Sequence, residues 1–365
     1  MPMQNTLEFE QASRTVTLRD IADHCGVSVM SVSRALRGDT GHLSEKTRDV
    51  ILATAQTMGY DPSRHLAARR LVHHRTGQAV RNNVIGMFFP MEFDLYTYFT
   101  TIFRGVLSIM KQERYALLAD YIHQPGVAPL AGVFTRGDVD GVIGLANKID
   151  FAPLCDQLRR EVMFHDKPVV SLLEPIEGCS SVLVDDFQGG YLLAFHFLEK
   201  GHRHLMHFCH PEGEYPLQQR YQGFCAAYRD RGLDPVEHLH FCMGELYADV
   251  SYIAQFIEKE LAQYPEITGI LARNDVTAIK IHDALCAMGR RVPEDISLAG
   301  YDDTDMLFDA AGRNMLTTIR VPLLEVGQAA ARLIIHRVTG QTPADEIISL
   351  PVTLVERHSV IAIRE

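Results

Sequence analysis

The sequence predicts a small all-α head followed by a larger α/β body of two lobes. Length is the first reason: 365 residues exceed one ordinary hydrophobic core, and an apolar content of 47% suffices for several. The second is charge. The chain carries a formal −11, yet residues 11–81 hold 11 basic against 6 acidic side chains, whereas residues 82–365 hold 24 against 38. The third is periodicity, which passes from short helical stripes before residue 60 to apolar runs alternating with amphipathic stretches after residue 82. No run of about 18 apolar residues occurs, and the N-terminal stretch lacks the apolar core of a signal peptide. The 7 cysteines are dispersed without a C-x-x-C, a pattern that fits reduced thiols in a cytoplasmic protein.

Residues 1–14 read as a flexible arm, and the helical stripes begin at residue 15. Thr17-Leu18-Arg19-Asp20 sets an N-cap three residues before an acid. Leu18, Ile21 and Ala22 form an apolar stripe, and Gly26 ends the helix. After a very short turn a second helix is expected over Ser28 to Arg37, with Val32, Ala35 and Leu36 inward and Gly38 as its stop. Ser44 caps a third that runs to Met58, with Val50, Ile51, Ala55 and Met58 inward; Gly59 closes it. Two short helices around a tight glycine turn, braced by a third, form a helix-turn-helix whose second helix enters the major groove. Its outer residues Ser28, Val29, Met30, Ser31, Ser33 and Arg34 suit that task. Arg34 can read guanine bidentately or hold a phosphate, and Val29 and Met30 can meet thymine methyls. The serines, together with Thr17, can donate to phosphates, which fixes register. A generic three-helix bundle would carry the same stripes. Pro62 to Arg81 then holds five Arg, three His and no acid, the footprint of a nucleic-acid contact or of a solvated charged helix.

In the body, strands are expected at Val84–Phe89, Ala116–Ala119, Gly141–Gly144, Val169–Leu172, Leu205–Phe208, Gly269–Leu271 and Ser297–Tyr301. Helices are expected at Tyr98–Gln112, Phe187–Lys200, Gln219–Arg231, Asn274–Met288 and Leu323–Thr339. This alternation predicts parallel sheets with helices on both faces, and its length implies two lobes. Ligands of such sheets bind beyond the carboxyl ends of the strands. Asp186, read as an N-cap, Asn274-Asp275 and Asp302-Asp303 follow strands and can bind hydroxyls, or can simply cap helices.

Taken in order, these motifs resemble the LacI/GalR-type transcriptional regulators. In the head they are Val16-Thr17-Leu18-Arg19-Asp20-Ile21-Ala22, Gly26-Val27-Ser28, Val32-Ser33-Arg34-Ala35-Leu36, Ser44-x-x-Thr47-Arg48 and Gly59-Tyr60-x-Pro62. In the body they are Gly201-His202-Arg203, Arg220-x-x-Gly223-Phe224, Leu316-Thr317-Thr318 and Leu350-Pro351-x-x-Leu354-Val355-x-Arg357, so the resemblance spans Val16 to Ile361. It implies a helix-turn-helix domain (15–61), a hinge helix and linker (62–81) and a periplasmic-binding-protein-like sensor (82–365) that binds effector and dimerises. The implied protein is a repressor relieved by an inducer, with a corepressor-dependent or activating mode left open, and not an enzyme, with no cofactor and no metal. It would act as a homodimer on a pseudopalindromic double-stranded operator, under control of a sugar-like effector between the lobes. Arg220 matches the arginine that contacts effector, Asn274 the amide of an A-N-D motif and Asp302 the first acid of G-[FY]-D-D; Asp275 is assigned mainly to capping. Without a leucine-heptad tail, a dimer is expected rather than a tail-linked tetramer. A sugar-binding protein with a vestigial head, or an α/β enzyme, would share parts of this pattern.

Two stretches depart from the family. Where it has a V-P-D-x-x-N-P-F-F-like segment, this chain has Phe89-Pro90-Met91-Glu92-Phe93-Asp94-Leu95-Tyr96-Thr97-Tyr98-Phe99. Asp94 could bind a hydroxyl and Tyr96 stack on a sugar ring, or both could pack. In the hinge, the leucine that wedges into the minor groove seven residues after the proline is Arg69, with leucines at 66 and 71. Arginine favours a narrow A·T-rich groove without unstacking, so weaker bending is expected, unless Leu71 is the wedge; Arg64 is a further DNA contact in this stretch. Other constellations carry less. His202, His204, His207 and His210 lie along a turn and strand, face opposite sides and cannot converge on one ion. Asp138-x-Asp140-Gly141 echoes a calcium loop without its later ligands, and no hydrolase, zincin or P-loop motif occurs.

Overall fold

A computed structural model describes residues 16–36, 43–60, 81–90, 97–122, 134, 138–145, 148–160, 166–208, 214–241, 249–342 and 345–363. The chain divides into two compact units, Met1–Arg81 and Asn82–Glu365.

The first unit contains α1 (Leu18–Cys25), α2 (Val29–Leu36) and α3 (Glu45–Thr57). Each begins at a side-chain cap. Thr17 and Asp20 form a reciprocal capping box, with the Asp20 amide donating to Thr17 Oγ1 at 3.3 Å and the Thr17 amide to Asp20 Oδ2 at 2.7 Å. The Ser31 amide donates to Ser28 Oγ and the Thr47 amide to Ser44 Oγ, both at 3.1 Å. Gly26 takes the left-handed φ of 63° that ends α1. Ile21, Ala22, Val32, Ala35, Ile51 and Ala55 are buried together, with Leu18, Leu36 and Met58 packed at the margin. Val50, expected inward, is 50% exposed. Its neighbour Ile51 takes the core face, and one residue along an α-helix turns the side chain by about 100°.

The second unit carries two parallel sheets. Among the described residues, the larger has the order β11-β5-β4-β3-β1-β2, built from β1 (Val84–Phe89), β2 (Ala116–Tyr121), β3 (Gly141–Gly144), β4 (Val169–Leu172), β5 (Ser180–Val184) and β11 (Ile347–Leu350). Its inner strands are buried on both faces, as a sheet covered by helices requires, and the edge strands β2 and β11 mix exposed with half-buried positions. Helices α4 (Thr97–Gln112), α5 (Lys148–Arg160) and α11 (Leu323–Thr339) belong to this lobe. Asp140, the echo of a calcium loop, instead accepts the Asn82 amide at 2.8 Å and the Asn83 amide at 2.6 Å, which anchors the entry to β1.

The smaller sheet has the order β7-β6-β8-β9, from β6 (His204–Phe208), β7 (Leu239–Phe241), β8 (Ile267–Ala272) and β9 (Ser297–Ala299). Its helices are α6 (Asp186–Glu199), α7 (Tyr215–Asp230), α8 (Pro235–His238), α9 (Val250–Gln263) and α10 (Asp275–Ala287). The chain enters this lobe after β5 and leaves it after β10 (Thr318–Arg320). It returns after β11 as β12 (Thr353–Val355), which pairs antiparallel with β10. Among the described residues no helix is long and apolar enough to cross a membrane.

Candidate functional site

The carboxyl ends of β5, β8 and β9 feed Asp186, Arg273 and Asp302 into one place, where α7 adds Arg220. Two glycines seat α7. A Cβ at Gly223 would overlap the Phe187 carbonyl oxygen, and one at Gly190 the Arg220 carbonyl oxygen, so α6 and α7 approach backbone to backbone. That contact aims Arg220 at the first turn of α6. Arg220 Nε donates to Asp186 Oδ1 at 2.7 Å, its Nη1 donates to the Arg273 carbonyl at 2.9 Å, and its guanidinium lies 3.5 Å over the centroid of Tyr301. Arg273 in turn donates from Nη2 to both oxygens of Glu214, at 2.9 and 2.7 Å.

Asp302 completes the cluster and is its least satisfied member. It is buried, its Oδ1 has no hydrogen-bond partner, and Arg220 Nη2 stands 4.0 Å away. Its φ is 104°, a region that non-glycine residues occupy only when the surroundings impose it. Burial pushes its carboxyl well above the ordinary range against the pull of Arg220, and burial raises Asp186 likewise. Arg220 is held charged by Asp186, Tyr301 and Asp302 despite its burial. From the other lobe, the half-buried Tyr98 on α4 senses the same charges: burial, Asp302 and Asp186 push its hydroxyl well above the usual tyrosine range. The geometry offers buried acceptors and a fixed guanidinium donor to a ligand between the lobes.

Two assignments are corrected here. Asp185, not Asp186, caps α6, accepting the Gln188 amide at 2.9 Å; Asp186 turns inward to Arg220. Asn274, not Asp275, caps α10, accepting the Thr277 amide at 2.9 Å, so its carbonyl oxygen is occupied by the helix. Asp275 is fully buried, accepts the Thr318 hydroxyl at 2.7 Å and the Thr304 amide at 2.8 Å, and its carboxyl is pushed up to about 7 by burial.

In the head, α2 turns its outer face away from the core. Ser28, Val29 and Met30 are exposed, Val29 by 44% and Met30 by 58%, and Ser31, Ser33 and Arg34 are half-buried. Apolar side chains held out at the start of a helix contribute nothing to the core beneath, and they suit contact with base edges. Thr17 is exposed, with its hydroxyl donating to Asp20 at 2.7 Å.

Residues 17–63 match the family described as bacterial regulatory proteins, lacI family, and residues 194–360 match the periplasmic binding protein-like domain. The ribose operon repressor of Bacillus subtilis (strain 168) is 29% identical over 94% of this chain and 98% of its own length. The head is a LacI-family DNA-binding domain, joined to a periplasmic-binding-protein-like body. The chain is therefore a DNA-binding transcriptional regulator. Solved LacI-family folds agree: a regulator from Enterococcus faecium with bound ribose has a TM-score of 0.64 at 26% identity, over 77% of this chain and all of that one. The Lac repressor dimer bound to operator and an anti-inducer has a TM-score of 0.63 at 21% identity, over 96% of this chain and all of that one, and shares the fold.

Of the residues singled out from sequence, the structure brings Arg220 and Asp302 together and sets Asn274 at the start of α10. Arg64, Arg69, Leu71, Asp94, Tyr96 and His210 lie outside the described residues. Glu214, Arg273, Tyr301 and Tyr98 were not singled out. Arg273 and Tyr301 each follow a strand, which was a usable signal; Glu214 and Tyr98 reach the cluster only through the tertiary fold. The histidine run diverges. His202 bonds Thr268 Oγ1 at 2.8 Å and the Ile361 carbonyl at 2.9 Å. His207 is buried between Phe224 and Phe241, where burial, Arg220 and Arg273 push it down to about 3.

Proposed function

We propose that this chain is a cytoplasmic, homodimeric repressor that acts by binding rather than catalysis. Its head binds a pseudopalindromic operator through Thr17, Ser28, Val29, Met30, Ser31, Ser33 and Arg34, with Arg64, Arg69 and Leu71 in the hinge. A sugar-like effector binds between the lobes through Arg220, Asn274 and Asp302, with Asp186 orienting Arg220 and with Asp94 and Tyr96 on the pocket wall. The observation that carries this reading is the buried Asp302 carboxylate, whose Oδ1 has no partner while the Arg220 guanidinium stands 4.0 Å away. A buried acceptor of this kind is costly unless a ligand hydroxyl donates to it. The names of the Bacillus repressor and the ribose-bound Enterococcus regulator make ribose the first probe.

Effector binding changes lobe closure, and the coupling to the head is typically about 1–3 kcal/mol, or roughly 5–150-fold in operator affinity. Fluorescence anisotropy with DNA from upstream of the gene tests this. Binding should weaken steeply with salt as phosphate counterions are released, and a cognate sugar should release the operator. Ribose and related sugars that bind the body yet leave operator affinity unchanged would count against a repressor relieved by such an effector.

A further inference from the structure

His204, His240 and Glu266 meet on one face of the smaller sheet, towards the amino ends of its strands, opposite the end that bears Arg273 and Asp302. Strands β6 and β7 run parallel with Met206 opposite His240, so the two-residue period sets His204 and His240 on the same face as diagonal neighbours. Glu266 immediately precedes Ile267, the residue of β8 that pairs with His204. His204 Nδ1 and His240 Nε2 are 3.4 Å apart, His204 Nδ1 is 4.0 Å from Glu266 Oε1, and the ligand atoms of the three residues all lie within 4.8 Å of one another.

That spacing has a chemical meaning. Two nitrogens bound at about 2.0–2.1 Å to a tetrahedral ion stand about 3.3–3.4 Å apart. Both rings are braced: His238 stacks on His204 with centroids 4.7 Å apart, and Tyr264 lies 4.2 Å from His240. Glu266 is exposed and free to close the remaining gap by a small side-chain rotation.

We propose that His204, His240 and Glu266 form a site for a borderline divalent cation, Zn2+ foremost, with water as the fourth ligand. Two nitrogen donors and one carboxylate suit Zn2+ and not Mg2+ or Ca2+, which take oxygen shells. The ion ties together β6, β7 and the start of β8, so it stabilises the folded lobe in proportion to its occupancy.

The test uses the full chain, stripped with chelator, titrated with Co2+ and followed by its visible d–d bands, then with Zn2+. One Co2+ per chain with the intense bands of a tetrahedral site, displaced by Zn2+, is expected. His240→Ala, remote from the inter-lobe cluster, should remove those bands and weaken Zn2+ binding by at least about tenfold. Because the chain has 17 histidines, the difference between wild type and variant is the deciding quantity. Equal Zn2+ affinity in both, or an equal rise in melting temperature with Mg2+ and Zn2+, would overturn the proposal. If His240→Ala does not fold, the exposed Glu266→Ala carries the test: a loss of about tenfold supports the site, and no loss overturns it.

Discussion

Replacing Asp302 with asparagine should move stability and effector affinity in opposite directions. Asparagine is nearly isosteric and, with aspartate, tolerates positive φ best among non-glycine residues. The backbone at φ 104° and the Asp302 amide bond to the Ile319 carbonyl at 2.8 Å should therefore survive. Burial raises the folded carboxyl well above its ordinary value of 3.8. The stability tied to that group is thus fully present below the ordinary value and is lost as pH rises through the raised one. A neutral amide has no such loss. The variant should match the wild type at about pH 4 and exceed it at about pH 8, read from thermal melts across that range. Above the raised value affinity should fall, because there a hydroxyl bonded to the ionised carboxylate contributes about 1.5–3 kcal/mol, or roughly 10–150-fold. Calorimetry with ribose, or another sugar that binds the wild type, measures this. A variant less stable than wild type at pH 8 refutes the unsatisfied-acceptor argument, and unchanged sugar affinity refutes the role of Asp302 at the ligand.

Asp275→Asn should flatten the decline in stability between about pH 4 and pH 8. A carboxyl moved from 3.8 to about 7 corresponds to roughly 4 kcal/mol lost as pH rises. An amide can keep the bonds to Thr304 and Thr318, and a pH series of denaturant melts reads the slope. Gly223→Ala should cost about 1–3 kcal/mol, because its Cβ meets the Phe187 carbonyl oxygen and the Tyr191 amide rather than a flexible side chain. A melting temperature equal to wild type would mean that α6 and α7 can separate freely. Arg34→Ala should weaken operator binding by about 1–3 kcal/mol while leaving sugar affinity unchanged; anisotropy and calorimetry on the same preparation separate the two. Arg69→Leu should increase operator bending in a circular-permutation gel assay, and an unchanged bend and affinity would remove Arg69 from the minor groove.

Local pattern carries much of this fold. Helix caps at Thr17 and Ser44, the glycine stop at Gly26 and the buried runs of β1, β3 and β4 are short-range consequences of side-chain chemistry, and they stand where periodicity sets them. Errors fall where adjacent residues compete for one role. Asp185 and Asp186, or Asn274 and Asp275, are equally good caps on paper. Helix phase, about 100° per residue, then decides which one bonds the first turn and which is driven into the interior. Val50 and Ile51 divide in the same way between solvent and core.

The sequence by itself determined the basic head, the acidic α/β body and the LacI-type motifs, because these depend on composition, period and local residue order; Arg220 and Asp302 came forward as candidates through the resemblance those motifs carry. Only the tertiary structure decided that Asp186 pairs with Arg220, that Tyr98 reaches the same charges from the other lobe, and that His204 meets His240 and Glu266 instead of its neighbours in the histidine run. Those partners are separated by 34, 88 or more, and 36 or 62 residues along the chain. Their encounter is set by parallel strand register and by backbone contact between α6 and α7, and no local propensity encodes either.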